Sequence, residues 1–167
     1  MKYNTGLLED FIYTLYEDIE VSAASQLDLF EIARALDISI HLHPYPTQAI
    51  MNDSRYYVFI NDSTPQIEWW EIFGHELGHI LRHSGNQRNL ALPFIQYQEW
   101  QADLFALHFC VPTFLLLKEN IPNDCRRAVE YVVDTFHVTP SFAYKRLQLH
   151  KQKLTDQQFH TYLWSNA

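Results

Sequence analysis

The chain has 167 residues, with 20 acids against 12 bases, a net charge of −8, and 47% apolar and 15% aromatic side chains. That is enough apolar bulk for one domain with a real core, and it excludes a disordered chain. The acidic balance argues against direct nucleic-acid binding, which needs clustered Lys and Arg.

The N-terminal stretch MKYNTGLLEDF carries no apolar signal region, because Glu9 and Asp10 interrupt it. Residues 6 to 19 place Leu7, Leu8, Phe11, Ile12, Leu15, Tyr16 and Ile19 at helical spacing. Ser25 can cap a second helix, with Asp28 at its third position and Leu29, Phe30, Ile32, Ala33 and Leu36 following. ISIHLH, 38 to 43, alternates and reads as a strand, which PYPTQ breaks. YYVFIN, 56 to 61, is a second strand, expected to pair with the first. Thr64 and Pro65 then read as cap and first turn of a helix from about 65 to 83. SGNQRN, 84 to 89, is a loop with Gly85 as C-cap residue. Pro93 opens a long helix that ends near Val111 and Pro112. Further helices are expected over 124 to 136, over 141 to 152 after Thr139 and Pro140, and over 156 to 164. The apolar run FLLL, 114 to 117, is far too short to span a bilayer. Cys110 and Cys125 are the only cysteines, which suits a reducing cytoplasm better than a disulfide scaffold. The expected fold is α+β: one mostly helical domain over residues 1–167 with a small sheet.

The third of these helices carries the chemistry. His75-Glu76-Leu77-Gly78-His79 spells H-E-x-x-H. Residues four apart on a helix sit about 40° apart around the axis and about 6 Å along it, so both imidazoles can reach one ion. Glu76 flanks the same face, close enough to touch a water on that ion. With nine histidines in the chain, composition alone would spell such a pentapeptide in roughly 3% of chains, so context must carry the reading. Gly74 and Gly78 each cost about 1 kcal/mol relative to alanine inside a helix, which points to close approach of a neighbour. A catalytic zinc needs a third ligand and keeps one position open for water. Position 82 is Arg and position 85 is Gly, so the pattern H-E-x-x-H-x-x-G-x-x-H fails. Glu99 and Asp103, in EWQAD, share a helix face at i and i+4, with Ala102 and Ala106 leaving room for a packed helix. Glu99 would complete a His₂Glu set, and Asp103 would accept the free N–H of a ligand histidine, setting its tautomer. His83, one turn beyond His79, reads as a helix-end residue.

HELGHILRH followed by EWQADLFALHFCVP resembles the ImmA/IrrE family of zinc metallopeptidases, with its H-E-L-G-H…E-x-x-A-D/N-x-F-A…P pattern, and HVTPSFAYKRL, 137 to 147, resembles that family's segment after the site. The resemblance covers roughly residues 56 to 150, with N-terminal helices and the first strand in 1 to 50. It implies a gluzincin-like minimal core, bound Zn²⁺, and a protein substrate such as a helix-turn-helix repressor of a phage or mobile element. HFCVP departs from the family's plainer aliphatic run at His108 and Cys110.

The expected activity is metal-assisted peptide hydrolysis, in which zinc lowers the pKa of its water from 15.7 towards about 7 and Glu76 takes the proton. Tyr97, His108, Tyr131, His137 and Tyr144 are candidates for an additional oxyanion donor, with no basis for choosing among them. YYVFIN is the candidate sheet edge for substrate docking. Three competing readings remain. A peptide deformylase needs an upstream cysteine ligand, and no cysteine precedes His75. A non-hydrolytic zincin-like binding module would have no need of Glu76. A helix-turn-helix pair would use 124 to 136 and 141 to 152, but Arg126, Arg127, Lys145, Arg146, Lys151 and Lys153 are interspersed with apolar residues.

Overall fold

The computed structural model describes residues 3–82 and 91–165, without side chains for 163–165. His83, Gly85 and the expected loop 84–89 lie outside the described residues. The fold is α+β and mostly helical, with a three-stranded sheet.

Helix α1, Leu7–Asp18, buries Ile12 and Tyr16. Glu9 in its first turn accepts the Gly6 N–H at 2.8 Å, holding the helix start. Helix α2 is Leu29–Ala35. Its cap is Asp28 rather than Ser25, which lies in a 3₁₀ turn, Ala24–Gln26. The Asp28 carboxylate accepts the N–H groups of both Phe30 and Glu31, satisfying two orphan donors where a hydroxyl would serve one.

The strands are β1, Ile38–His43; β2, Gln48–Asn52; and β3, Arg55–Asn61. Their order is β1-β3-β2, with β1 parallel and β2 antiparallel to β3. Pairing of β1 with β3 follows the sequence reading, but β2 escaped it. The β2–β3 turn is Asp53-Ser54, with φ of 49° and 65°. Both residues adopt the left-handed conformation of a two-residue hairpin without the glycine that signals one. The expected edge is therefore corrected: YYVFIN forms the central strand, and β2 takes the outer position. Val58 and Ile60 on the inner face of β3 are fully buried.

Beneath the sheet lies α3, Trp69–Arg82. It begins later than expected, because Pro65 caps a 3₁₀ turn, Gln66–Glu68, before the α-helical pattern starts. Helix α4, Leu92–Cys110, follows with proline in its first turn. The short α5, Thr113–Leu116, then leads to α6, Cys125–Phe136, capped by Asp124. Phe73 and Leu77 of α3 and Phe105 and Phe109 of α4 are fully buried between the elements, each stabilising the fold by about 1.5–3 kcal/mol. The Tyr16 hydroxyl donates to the Phe109 carbonyl at 2.9 Å, tying α1 to α4.

The two expected C-terminal helices are one, α7, Pro140–Ser165. Thr155, between the two expected helices, donates its hydroxyl to the Lys151 carbonyl at 3.0 Å, one turn back, and so sits inside the helix. Arg146 of α7 is fully buried, and Arg126 of α6 pairs with Glu130 at 3.0 Å on the surface. Among the described residues no helix is long and apolar enough to cross a membrane.

Candidate metal centre

Helices α3 and α4 touch along a seam of small residues. A Cβ on Gly78 would lie 3.1 Å from the Ala102 Cα and 3.2 Å from the Phe105 Cβ. One on Gly74 would lie 2.7 Å from the Cys110 Sγ, with the Ala106 Cα at 3.4 Å. Glycine is required here for close approach, which offsets its unfavourable helix propensity. The approach carries α4's Glu99 and Asp103 to α3's two histidines.

There, His75, His79 and Glu99 each turn one donor atom to a common point, all within 4.8 Å of one another. The two Nε2 atoms are 3.0 Å apart, His75 Nε2 is 3.3 Å from Glu99 Oε2, and His79 Nε2 is 3.5 Å from Glu99 Oε1. Two ligands at zinc's usual bond length and tetrahedral angle stand roughly 3.3 Å apart. Each of these contacts has the spacing of adjacent ligands on one zinc ion, so the three side chains could hold one and would leave a coordination position for solvent or substrate.

Asp103 faces the other nitrogen of His75. His75 Nδ1 lies 2.9 Å from Asp103 Oδ1. An ionised carboxylate only accepts, so Nδ1–H donates and Nε2 carries the lone pair. That lone pair faces the Glu99 carboxylate, an arrangement of acceptors that a cation at their centre would satisfy. His75, His79 and Glu99 are all partly buried, which limits competition from water.

Glu76, next along α3, points to the sheet. Burial raises its carboxyl above the ordinary range, offset in part by His75 and by the backbone N–H of Ala49, while the Glu99 charge adds to the rise. Ala49 lies in β2, and an N–H directed at Glu76 is one that β3 does not use. The open edge of β2 thus lines the cluster. Nothing in the sequence of β2 pointed to this, because the contact is made by a backbone group.

Four of the five oxyanion candidates have contacts outside the cluster. His108 is buried, with Nδ1 3.9 Å from Glu9. Tyr131 donates to Glu119 at 2.6 Å, Tyr97 accepts from Gln101 at 2.9 Å, and Tyr144 accepts from Gln148 at 2.6 Å. His137 ends α6 in the left-handed conformation, with φ 56°.

Comparison with known proteins agrees with this architecture. The model of the peptidase family M78, the IrrE N-terminal-like domain, matches residues 32–148, and the chain belongs to that family. The match begins before residue 56 and so takes in β1 and β2. The uncharacterized protein YqaB of Bacillus subtilis (strain 168) is 36% identical over 159 residues, covering 95% of this chain and 92% of that protein. The phage-like element PBSX protein XkdA of the same organism is 36% identical over 152 residues, covering 91% of this chain and 77% of that one.

Proposed function

We infer that this chain is a zinc-dependent metallo-endopeptidase of the cytoplasm, acting as one domain on a protein substrate. The observation that carries the reading is the convergence of the His75, His79 and Glu99 donor atoms, with contacts of 3.0, 3.3 and 3.5 Å, beside the Glu76 carboxylate. His75, His79 and Glu99 would hold the ion, and Asp103 orients His75. Bound there, zinc supplies Lewis-acid polarisation of a carbonyl and activation of water for attack. Glu76 accepts the proton lost by that water and returns it to the leaving amine. The open edge of β2 offers backbone groups to an extended peptide, with Ala49 nearest the reacting centre. The target is a regulatory protein such as a helix-turn-helix repressor; the relationship to a protein named for a phage-like element supports a mobile-element setting.

The test has two parts. Elemental analysis of purified protein should find one zinc per chain, lost in Glu99→Ala and in His79→Ala; full occupancy in both variants refutes the ligand set. Co-expression with a helix-turn-helix regulator encoded beside it, read by mass spectrometry, should give a metal-dependent cut. Glu76→Gln should keep the metal and slow cleavage by about 10²- to 10⁴-fold, the usual worth of a positioned base. Tight binding of the regulator without any cut would favour the non-hydrolytic binding module.

A further inference from the structure

A groove of about 620 Å³ lies where the start of α3 meets α2 and the end of α6, and no residue of the metal cluster lines it. Its floor is formed by the buried side chains of Leu27, Trp70 and Val138. Its walls stand in water: Phe30 of α2 is 54% exposed, and Ile67 of the 3₁₀ turn is 53% exposed. Two large apolar side chains left in solvent over an apolar floor are surface that an occupant would cover favourably.

The rim sets the chemistry of that occupant. Asp28 and Asp134 line the groove, and no Lys or Arg is among the lining residues. Asp28 is accounted for as the cap of α2. Asp134 is not. It is exposed in the last turn of α6, where the negative end of the helix disfavours an acid. Among the described residues it has no ion pair or hydrogen bond. A carboxylate that serves neither its own helix nor a neighbour, beside uncovered apolar surface, is complementary to a cation carried on an apolar segment. The same charges disfavour nucleic acid and anionic lipid. A second copy of a chain with net charge −8 would meet repulsion. A small ligand fits poorly, because Phe30, Gln66, Ile67, Asp134 and His137 are all exposed and the groove would cover one side of it only.

We propose that this groove docks a short basic segment of a partner protein, one that carries large apolar side chains next to Lys or Arg. The apolar side chains fill the space between Phe30, Ile67 and Trp70, and a cation meets Asp134. The groove stands apart from the metal cluster, so the proposal does not rest on the zinc-peptidase reading above.

The experiment titrates the ¹⁵N-labelled full chain with three capped hexapeptides, built from leucine and arginine, leucine and glutamate, or serine and arginine. The indole N–H signals of Trp69 and Trp70, which line the groove, report binding. They should move with the leucine–arginine peptide, at a Kd at least about fivefold below that of either other peptide. Asp134→Lys should weaken the leucine–arginine peptide at least about threefold and strengthen the leucine–glutamate peptide. Asp156→Lys makes an equal change of charge in the second half of α7 and should leave both within about twofold at physiological salt, where exposed charges act over about 8 Å. Lysine suits the end of a helix, so Asp134→Lys should fold. Should it not, Phe30→Ser, which trims an exposed wall, should weaken the leucine–arginine peptide by the same factor. Indole signals that do not move, equal Kd values for the three peptides, or binding unmoved by Asp134→Lys or by Phe30→Ser overturn the docking site. Equal losses from Asp134→Lys and Asp156→Lys would mean attraction to overall charge and overturn it too. None of these readouts depends on zinc.

Discussion

A single methyl group at position 78 would press on the Ala102 Cα at 3.1 Å, and Ala102 belongs to the helix that presents Glu99. Gly78→Ala gains about 1 kcal/mol of helix propensity but overpacks a seam where the obstruction is backbone, which costs about 1–3 kcal/mol. The net expectation is a melting temperature lower by several degrees and weaker zinc binding; a variant as stable as the parent would refute the packing argument. His75, Glu76 and His79 were legible as a group because their relation is local, one turn of one helix. Glu99 and Asp103 were legible as a pair for the same reason. Glu9 was not. It reads as an ordinary acid in the first turn of an exposed helix, yet it is buried and accepts hydrogen bonds from Tyr3, Gly6, Thr113 and Lys153.

Those bonds make α7 more than a surface helix. Beyond Lys153, Gln157 exchanges two hydrogen bonds with the backbone of Asn4, at 3.1 and 2.6 Å, so the second half of α7 holds down the entry to α1. In the double variant Lys153→Met, Gln157→Ala, amide hydrogen exchange over Leu7–Asp18 should quicken by about tenfold, the worth of one charge-assisted bond, while β1 and β3 are unchanged. Uniform acceleration throughout the chain, or none in α1, would show that α7 does not act locally. The sequence reading divided α7 between residues 152 and 156; Thr155 in that interval instead bonds back to Lys151 inside the helix. It missed β2 because Asp53 and Ser54 adopt positive φ without a glycine. That omission moved the expected docking edge from β2 to β3.

The Glu9 cluster joins α1, α4, α5 and α7, and it makes global stability sensitive to acid. Facing one another there are Tyr3, Glu9, His108, Thr113, Arg146, His150 and Lys153. Burial, then the charge of Arg146, lowers His108 to about 3 and His150 to about 4. Both remain neutral in the folded chain where the unfolded chain takes up protons, so they contribute stability above pH 6.5 that is lost as pH falls towards those values. Burial would raise Glu9, but hydrogen bonds led by Lys153 hold it at about 2; its contribution is present above the ordinary carboxylate range and is lost as pH falls from about 4.5 towards 2. With metal removed by chelator, urea denaturation should show a loss on the order of 3 kcal/mol between pH 7 and pH 5. His108→Leu should roughly halve that slope. Equal stability at the two pH values would exclude neutral buried histidines.

Periodicity, capping residues and the spacing of H-E-L-G-H and E-W-Q-A-D were enough to read most helices, two strands and the set of side chains that could hold an ion. Within each motif the relation falls inside about one helical turn, which local backbone geometry dictates; joining the two motifs rested on the chemistry of a metal site that needs a third ligand. The strand order, the open edge of β2 against Glu76 and the hub at Glu9 came from packing alone. Glu9 meets Lys153 across 144 positions; such a meeting depends on how faces bury against one another, and no local pattern encodes it.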